Sequence, residues 1–263
     1  MSQSNTDWVL PVVLLAAVAA GAWWYFRAPP VEPTAAPDVP EAAEAEPKKP
    51  RGPLYPVPSL EAPDVVDLPP LDDSDSYFEL ALGGVLGAGI DDLLVEAGLI
   101  DRFVATVDNL TRKHVAESIR PFKRLPGTFI ADRAGGNKLF TISPENFARY
   151  AGLVDQLANA DMDVIIDTYR RFYPLLQQAY VRLGYPNGYF NDRAIEVIDH
   201  LLETPEADAP IMLVRPNVLY EFADPELEAL SSGQKLLLRT GKRNTIRIKS
   251  FLTTLRSRLA SFD

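Results

Sequence analysis

The chain has 263 residues, of which 26 are Lys or Arg, 36 are Asp or Glu and none is Cys. The absence of Cys excludes a disulfide framework, a thiolate metal site and a cysteine nucleophile. A net charge of -10 argues against nucleic acid as a partner. Two His residues, His114 and His200, offer little for a histidine metal site, so we expect neither a metal nor another cofactor.

The N-terminus has the pattern of a membrane anchor. Residues 1–7 form a short polar tail, and residues 8–26 carry no charge. About 20 apolar residues in a helix span the hydrocarbon core of a bilayer. A cleaved signal peptide is the alternative, but residues 1–7 lack Lys and Arg, and the apolar run continues beyond both cleavage-like sites. We therefore predict a transmembrane helix over 8–26 that binds the lipid bilayer.

Residues 27–73 are rich in proline and in acidic side chains. Segments such as Pro37-Asp38-Val39-Pro40 and Pro56-Val57-Pro58 cannot hold a helix or a central strand, because proline lacks a backbone N–H. We predict a disordered linker that holds the following domain away from the bilayer. The alternative is a docking peptide that uses Pro-rich recognition motifs.

Two features indicate opposite orientations in the membrane. Arg27 follows the predicted anchor and Asp7 precedes it, which favours a cytoplasmic C-terminus. Long acidic Pro-rich stalks are instead more common on the outer side of such anchors. We expect a single-pass protein of the inner (cytoplasmic) membrane whose globular domain is periplasmic.

From residue 74 onward the pattern predicts one mainly α-helical globular domain over 74–263 with a small β-hairpin. Ser76-x-x-Glu79 resembles a capping box at the start of a first helix. A short helix is expected from Ile90 to Gly98, and Asp101 begins the next. Thr128 to Ile142 reads as the hairpin, and Ser143-Pro144 as the start of another helix.

The second half of this domain reads as helices with one short strand. The longest helix is predicted to begin at Asp161, to kink at Pro174 and to end at Gly184. Asn191 and Asn244 are predicted to cap two further helices. Shorter elements are expected at Ile211 to Val214 (strand), Pro225 to Leu230 and Lys235 to Leu238 (helices).

Tyrosine and arginine concentrate between residues 169 and 193. Both residue types are frequent anchors of recognition surfaces, and sugars and peptides stack on aromatic rings. The alternative is a Tyr-rich core whose arginines pair with carboxylates at its rim. The candidate binding residues are Tyr169, Arg170, Tyr173, Tyr180, Tyr185, Tyr189, Asp192 and Arg193.

The C-terminal segment is basic, because residues 235–258 contain eight Lys or Arg and no acidic residue. A basic amphipathic helix can bind anionic lipid or nucleic acid. The alternative is that its apolar stripe packs on the acidic body of the same chain. The candidate basic surface residues are Lys242, Arg243, Arg247, Lys249, Arg256 and Arg258.

No sequence motif for an acyl-enzyme or a zinc hydrolase is present, so no catalytic residue is assigned. Glu196 and Asp199 fall on one face of a predicted helix, but spacing within one chain cannot show that two carboxylates face each other across a substrate. An enzymatic function is therefore not predicted.

Several strings of the domain match those of one protein family. They are Val107-Asp108-Asn109-Leu110, Asn146-Phe147-Ala148-Arg149-Tyr150, Tyr173-Pro174-Leu175-Leu176 with Ala179-Tyr180, Leu183-Gly184-Tyr185-Pro186, Tyr189-Phe190-Asn191-Asp192-Arg193, Asp224-Pro225-Glu226-Leu227-Glu228 and Gly233-Gln234-Lys235-Leu236. Over roughly residues 68–258 the chain resembles an uncharacterised family of bacterial single-pass membrane proteins with a domain of unknown function. The resemblance implies an anchor, a Pro-rich linker and this domain, and it implies no activity or cofactor.

These observations predict a membrane-tethered interaction or scaffold module of the bacterial cell envelope. The expected partner is an envelope protein, a peptide or a glycan. The alternative is an envelope enzyme or binding protein that acts on a glycan or peptide through residues 169–193 and nearby carboxylates such as Glu196 and Asp199.

Overall fold

The computed structural model describes residues 52–60, 67–87, 89–124, 127–136, 138–208 and 210–262. The predicted tail, the predicted anchor over 8–26 and residues 27–51 and 61–66 of the predicted linker lie outside the described residues. Among the residues that are described, no helix has both the length and the apolar character to cross a bilayer. The chain divides into two units, 1–49 and 50–263, and all described residues belong to the second.

The domain is mainly helical, as the sequence predicts. The described residues form eight α-helices: α1 (Asp75–Leu86), α2 (Leu99–Asn109), α3 (Pro144–Asn159), α4 (Met162–Arg182), α5 (Phe190–Leu202), α6 (Pro225–Ala229), α7 (Ser232–Thr240) and α8 (Lys242–Ser261). Short 3-10 turns occur at Leu71–Asp73, Asp91–Leu93 and Glu117–Ile119.

The predicted hairpin is part of a small antiparallel sheet with strand order β1-β2-β3-β4. The strands are β1 (Ala131–Gly135), β2 (Leu139–Ile142), β3 (Met212–Val214) and β4 (Glu221–Phe222). The hairpin is confirmed, with Ala131 opposite Ile142. The predicted short strand near residue 212 pairs with β2 and extends the hairpin. Strand β4 was not predicted, because two residues are too few to show the alternation of a strand.

The predicted start of the first helix is wrong. Helix α1 begins at Asp75 with Ser74 at its N-cap, so Ser76 and Glu79 do not form a capping box. The Ser74 hydroxyl instead donates to the Leu71 carbonyl at 2.7 Å. Ser74 is thus used to join the preceding 3-10 turn to the helix.

The segment between α1 and α2 also differs from its prediction. The expected helix from Ile90 is reduced to the 3-10 turn at Asp91–Leu93. Helix α2 begins at Leu99 rather than at Asp101. The reason is tertiary, because the Asp75 carboxylate accepts the backbone N–H groups of Gly98 (2.8 Å) and Leu99 (2.7 Å). A carboxylate from α1 therefore supplies the acceptors that the N-terminus of α2 lacks.

Two predicted caps lie inside helices instead. Asn191 is the second residue of α5 and Asn244 the third residue of α8. Both side chains are buried, and each donates to a carbonyl outside its own helix. Asn191 donates to the carbonyls of Tyr55 and Leu259, and Asn244 donates to the carbonyl of Phe147. The predicted helix starts at Ser143-Pro144 and at Asp161 are confirmed, because Ser143 and Asp161 are the N-cap residues of α3 and α4.

Helix α5 lies at the centre of the helical part. It contacts α2 on one side and α8 on the other. The largest buried cluster joins α1, α2 and α4, and it includes the edge-to-face pair Phe78 and Phe172, whose ring centroids are 5.3 Å apart. Phe190, at the start of α5, enters this cluster with 1% exposure. A separate cluster joins α4, α5 and α8 through Ile166, Ile195, Ile198 and Leu259.

The compact unit begins upstream of the predicted domain boundary at residue 74. It starts at Pro50, and it therefore includes part of the predicted linker. Leu71 is buried in the largest cluster, and Tyr55 packs against the cluster of α4, α5 and α8. Residues 52–60 form neither helix nor strand, as their prolines require, but they lie on the domain. Proline prevents regular secondary structure without preventing packing.

Candidate functional site

The first turn of α5 directs four successive side chains to four different partners. Because a helix turns about 100° per residue, neighbouring side chains emerge on different faces. Phe190 enters the core, and Asn191 reaches the carbonyls of Tyr55 and Leu259. Asp192 binds residues 54 and 55, and Arg193 reaches Asp108 on α2.

Asp192 and Asn191 bind the main chain of a segment that forms neither helix nor strand and that bends at Leu54 and Tyr55. The two carboxylate oxygens of Asp192 accept the backbone N–H groups of Leu54 and Tyr55, each at 2.9 Å. The amide nitrogen of Asn191 donates to the Tyr55 carbonyl, also at 2.9 Å. Hydrogen bonds to an ionised acceptor are about twice as strong as neutral ones. Two adjacent side chains therefore hold both polar groups of the Tyr55 main chain.

The side chain of Tyr55 packs on an apolar surface beside these bonds. It lies against the cluster of Ile166, Ile195, Ile198 and Leu259. By contrast, the neighbouring Leu54 side chain is 76% exposed. We call the surface formed by this cluster together with Asn191 and Asp192 the Tyr55 site.

The exposure of residues 53–58 alternates along this segment. Pro53, Tyr55 and Val57 are partly buried, whereas Leu54, Pro56 and Pro58 are exposed. Although the chain bends at Leu54 and Tyr55, Pro53, Tyr55 and Val57 lie on the side of the segment that faces the domain. The contact is therefore made by alternate residues and by the main chain.

Tyr169 and Arg256 support the Tyr55 site from two helices. The Tyr169 hydroxyl donates to Oδ1 of Asn191 at 3.0 Å, which orients the amide nitrogen toward Tyr55. Burial raises the pKa of Tyr169 well above its ordinary value of 10.0, with smaller contributions from Tyr173 and Asp192. The pKa of Arg256 is also raised, chiefly by its hydrogen bond to Asp199 and to a lesser degree by Tyr55. Tyr169 is therefore a neutral donor at physiological pH.

A second polar cluster lies on the opposite side of the α5 N-terminus. The buried carboxylate of Asp108, on α2, accepts Nε of Arg193 at 2.9 Å, the hydroxyl of Tyr185 at 3.2 Å and Nη2 of Arg112 at 3.1 Å. Arg193 also donates to the Asp108 carbonyl at 2.7 Å and to the Thr111 hydroxyl at 2.8 Å. We call these residues the Asp108 cluster. All of its partners belong to α2, α5 and the segments next to them.

The turn between α4 and α5 is fixed by close packing. The rings of Tyr180 and Tyr185 stack with centroids 4.6 Å apart. The side chain of Gln177 donates to the Gly188 carbonyl and accepts the Phe190 N–H, each at 2.8 Å. A Cβ on Gly188 would lie 2.9 Å from the Tyr180 ring, so this position requires glycine. Burial, followed by the charge of Asp108, raises the pKa of Tyr180 to about 12.

The structure divides the predicted aromatic surface between these two clusters. Asp192 belongs to the Tyr55 site, and Tyr169 donates a hydrogen bond to Asn191 of that site. Tyr185 and Arg193 belong to the Asp108 cluster, and Tyr180 stacks on Tyr185. The three remaining candidates, Tyr173, Tyr189 and Arg170, are half-buried. The Tyr173 hydroxyl donates to Gln177, Tyr189 is the N-cap residue of α5, and Arg170 lies on α4. The alternative of a Tyr-rich core with arginine–carboxylate pairs describes the Asp108 cluster.

Most of the predicted basic surface is paired within the chain. Lys242 binds Asp208 at 2.8 Å, Arg258 binds Asp163 at 2.6 Å, and Arg247 and Arg256 bind Asp155 and Asp199. Lys249 donates to the Thr204 carbonyl. Arg243 is exposed and makes no ion pair with the described residues. These ion pairs agree with the alternative that α8 packs on the acidic part of its own chain.

The carboxylates considered for the enzymatic alternative also lie in ion pairs. Glu196 binds Arg193 at 2.9 Å, and Asp199 binds Arg256. Within the described ranges, no group of three or more His, Asp or Glu side chains could hold a metal ion.

Four residues of these clusters were not predicted as site residues from the sequence: Asp108, Gln177, Tyr55 and Asn191, of which Asn191 was predicted only as a helix cap. For Asp108 a signal existed, because Ile100, Val104 and Asp108 are spaced by four residues and share the apolar face of α2. A carboxylate on a buried face needs a partner. Tyr55 had no such signal, because 137 residues separate it from Asp192.

The comparisons with known proteins place most of this domain in one family. Residues 99–256 match the family described as "protein of unknown function (DUF3014)". The chain belongs to this family. No curated protein and no solved structure matches the chain significantly. The DUF3014 match includes Asp108, Asn191 and Asp192, whereas Tyr55 lies upstream of it.

Proposed function

We propose that the chain is a membrane-tethered protein-interaction module of the bacterial cell envelope and that the Tyr55 site is its recognition surface. The observation that supports this most is the pair Asn191 and Asp192, which binds the main chain of a Pro-rich segment without helix or strand. Main-chain N–H and C=O groups occur in every peptide, and the apolar surface beside them would select side chains. This combination is typical of peptide recognition.

The cellular part of the proposal comes from the sequence. The predicted anchor over 8–26 would hold the chain in the inner membrane, and the predicted linker would separate it from the domain. Anchoring would confine the search for partners to the membrane surface, which raises the effective concentration of partners there. A scaffold that collects envelope proteins would benefit from this confinement.

The test compares two variants that each remove one carboxylate. Asp192→Ala removes both acceptors of the Tyr55 site. Asp167→Ala is the matched control, because Asp167 is exposed on α4 and the described residues show no ion pair for it. Tagged full-length chains are cross-linked in living cells, purified in detergent and analysed by mass spectrometry. We expect partners with the wild type and with Asp167→Ala, and their loss with Asp192→Ala.

Two results would contradict this function. One is an identical set of cross-linked proteins for Asp192→Ala and Asp167→Ala. The other is a set no larger than that of an unrelated chain with the same anchor. Thermal unfolding of both purified variants controls for loss of the fold.

The side of the membrane is tested separately with reporter fusions at the C-terminus. We expect activity from a reporter enzyme that works only in the periplasm. Activity only from a cytoplasmic reporter would contradict the periplasmic placement.

A further inference from the structure

The peptide seen in the Tyr55 site is a segment of the same chain. We propose that residues 52–60 are a displaceable occupant of this site and that the site binds, in trans, a peptide that presents the same main-chain groups and a tyrosine side chain. This inference rests on the proposed function, because it uses the same site, and it adds the chemistry of the ligand and a means of regulation.

The contacts of the segment define the ligand. Both N–H bonds and the one C=O bond involve only Leu54 and Tyr55. The next residue is Pro56, which has no N–H that would need an acceptor. Among residues 54–56, only Tyr55 turns its side chain toward the domain. The site therefore reads two successive main-chain N–H groups, the carbonyl of the second residue and the tyrosine side chain of that residue, and proline is compatible with the position that follows.

The same contacts explain why the segment can leave. Residues 52–60 have no helix or strand bonds of their own, and Leu54, Pro56 and Pro58 face solvent. The Asp108 cluster and the main core lie elsewhere, so release of the segment leaves their contacts in place.

Occupation by the chain itself regulates the site. A segment that belongs to the same chain as the site competes at an effective concentration on the order of millimolar. A free peptide must therefore bind more tightly than the segment, or be concentrated near the membrane, before it displaces the segment. The site is closed to weak ligands and opens to a suitable partner.

The first experiment measures binding of a labelled synthetic peptide, GPLYPVPSL, to the full-length chain in detergent. Tyr55→Ala weakens the occupant and should bind this peptide about tenfold more tightly than the wild type, since more sites are free. Leu54→Ala is the matched control, because that side chain is exposed, and it should behave as the wild type does. Adding Asp192→Ala to Tyr55→Ala should abolish binding.

The peptide with alanine in place of its tyrosine should not bind any of these chains. A folded Tyr55→Ala chain that does not bind GPLYPVPSL would overturn the proposal. So would equal binding of both peptides.

The second experiment keeps Tyr55 and so avoids a variant that could lose its fold. Because the chain has no Cys, Leu54→Cys provides a unique labelling position at an exposed side chain. A fluorophore there should show lower anisotropy when unlabelled GPLYPVPSL is added in excess, because the released segment moves freely. The alanine peptide should leave the anisotropy unchanged.

Constant anisotropy at every concentration of GPLYPVPSL would show that the segment is a permanent part of the fold. Displacement in this experiment together with no partners in cells would contradict the proposed function alone. Partners in cells that do not depend on displacement would contradict this inference alone.

Discussion

The Asp108 cluster and the Tyr55 site begin at adjacent residues of α5, yet they use their carboxylates differently. The Asp108 side chain is 3% exposed and has two arginines and a tyrosine as partners. Among the described residues, Asp192 accepts the main-chain N–H groups of Leu54 and Tyr55, in a segment that is itself partly exposed. The Asp108 carboxylate thus joins α2 to α5, whereas the Asp192 carboxylate holds a short segment without helix or strand, which is the contact that we propose can open.

The largest loss of stability is expected when the buried pair of Arg193 and Asp108 is broken. Arg193→Ala leaves the Asp108 carboxylate buried with fewer donors, and we expect a loss of about 3–5 kcal/mol in the free energy of unfolding. Arg112→Ala removes a half-exposed partner of the same carboxylate and should cost no more than about 1 kcal/mol. Urea unfolding of both variants measures the difference. Equal, small losses would contradict the structural role of the Asp108 cluster.

The turn that positions the start of α5 is tested by Gly188→Ala. The added methyl group would press on the Tyr180 ring, and overpacking of this kind costs about 1–3 kcal/mol. Gly152→Ala, in the middle of α3 with no atom near the added Cβ, should instead stabilise the protein by about 0.5–1 kcal/mol. Thermal unfolding gives the sign of each change. A neutral Gly188→Ala would show that the turn can move.

Tyr55→Ala should have a smaller effect than Arg193→Ala. The lost ring is partly buried, so we expect a loss of about 1–2 kcal/mol, below that of a fully buried large side chain. Leu54→Ala should stay within about 0.5 kcal/mol of the wild type. The same urea unfolding measures both. A loss for Tyr55→Ala as large as that for Arg193→Ala would make the segment as integral as the Asp108 cluster.

The smallest effect at neutral pH is expected for Tyr169→Phe, which removes the hydroxyl that orients Asn191. We expect a loss of about 1 kcal/mol, typical of one hydrogen bond. The pKa of Tyr169 is raised in the folded chain, chiefly by burial, so its contribution is full below pH 10 and declines as the pH rises above 10. The difference between Tyr169→Phe and the wild type should therefore shrink in alkaline urea titrations. A difference that grows with pH would contradict this.

Local patterns were sufficient to predict much of the domain. The helix starts at Ser143-Pro144 and at Asp161 depend on neighbouring residues only, and the structure has α3 and α4 beginning at these positions. The hairpin of β1 and β2 was also readable from its sequence. Where the deciding contact is distant, prediction failed: Asn191 and Asn244 have the residue type of a cap but bond to other segments.

The candidate site was predictable only in part. The Tyr- and Arg-rich segment marked the right region, but sequence alone could not divide it into a core cluster and a binding site. The Pro-rich composition of residues 52–60 correctly excluded helix and strand. It could not show that Tyr55 returns to Asp192, because composition carries no information on contacts between distant residues.

Amide hydrogen exchange of Leu54 and Tyr55 tests most directly whether the contact between Asp192 and these two residues can open. In the full-length chain we expect both amides to be protected, but to exchange much faster than that of Ile195 in the buried part of α5. Asp192→Ala should remove the protection of both amides and leave that of Ile195 unchanged. Protection of Leu54 and Tyr55 that equals that of Ile195, or that survives Asp192→Ala, would contradict a displaceable segment held by Asp192.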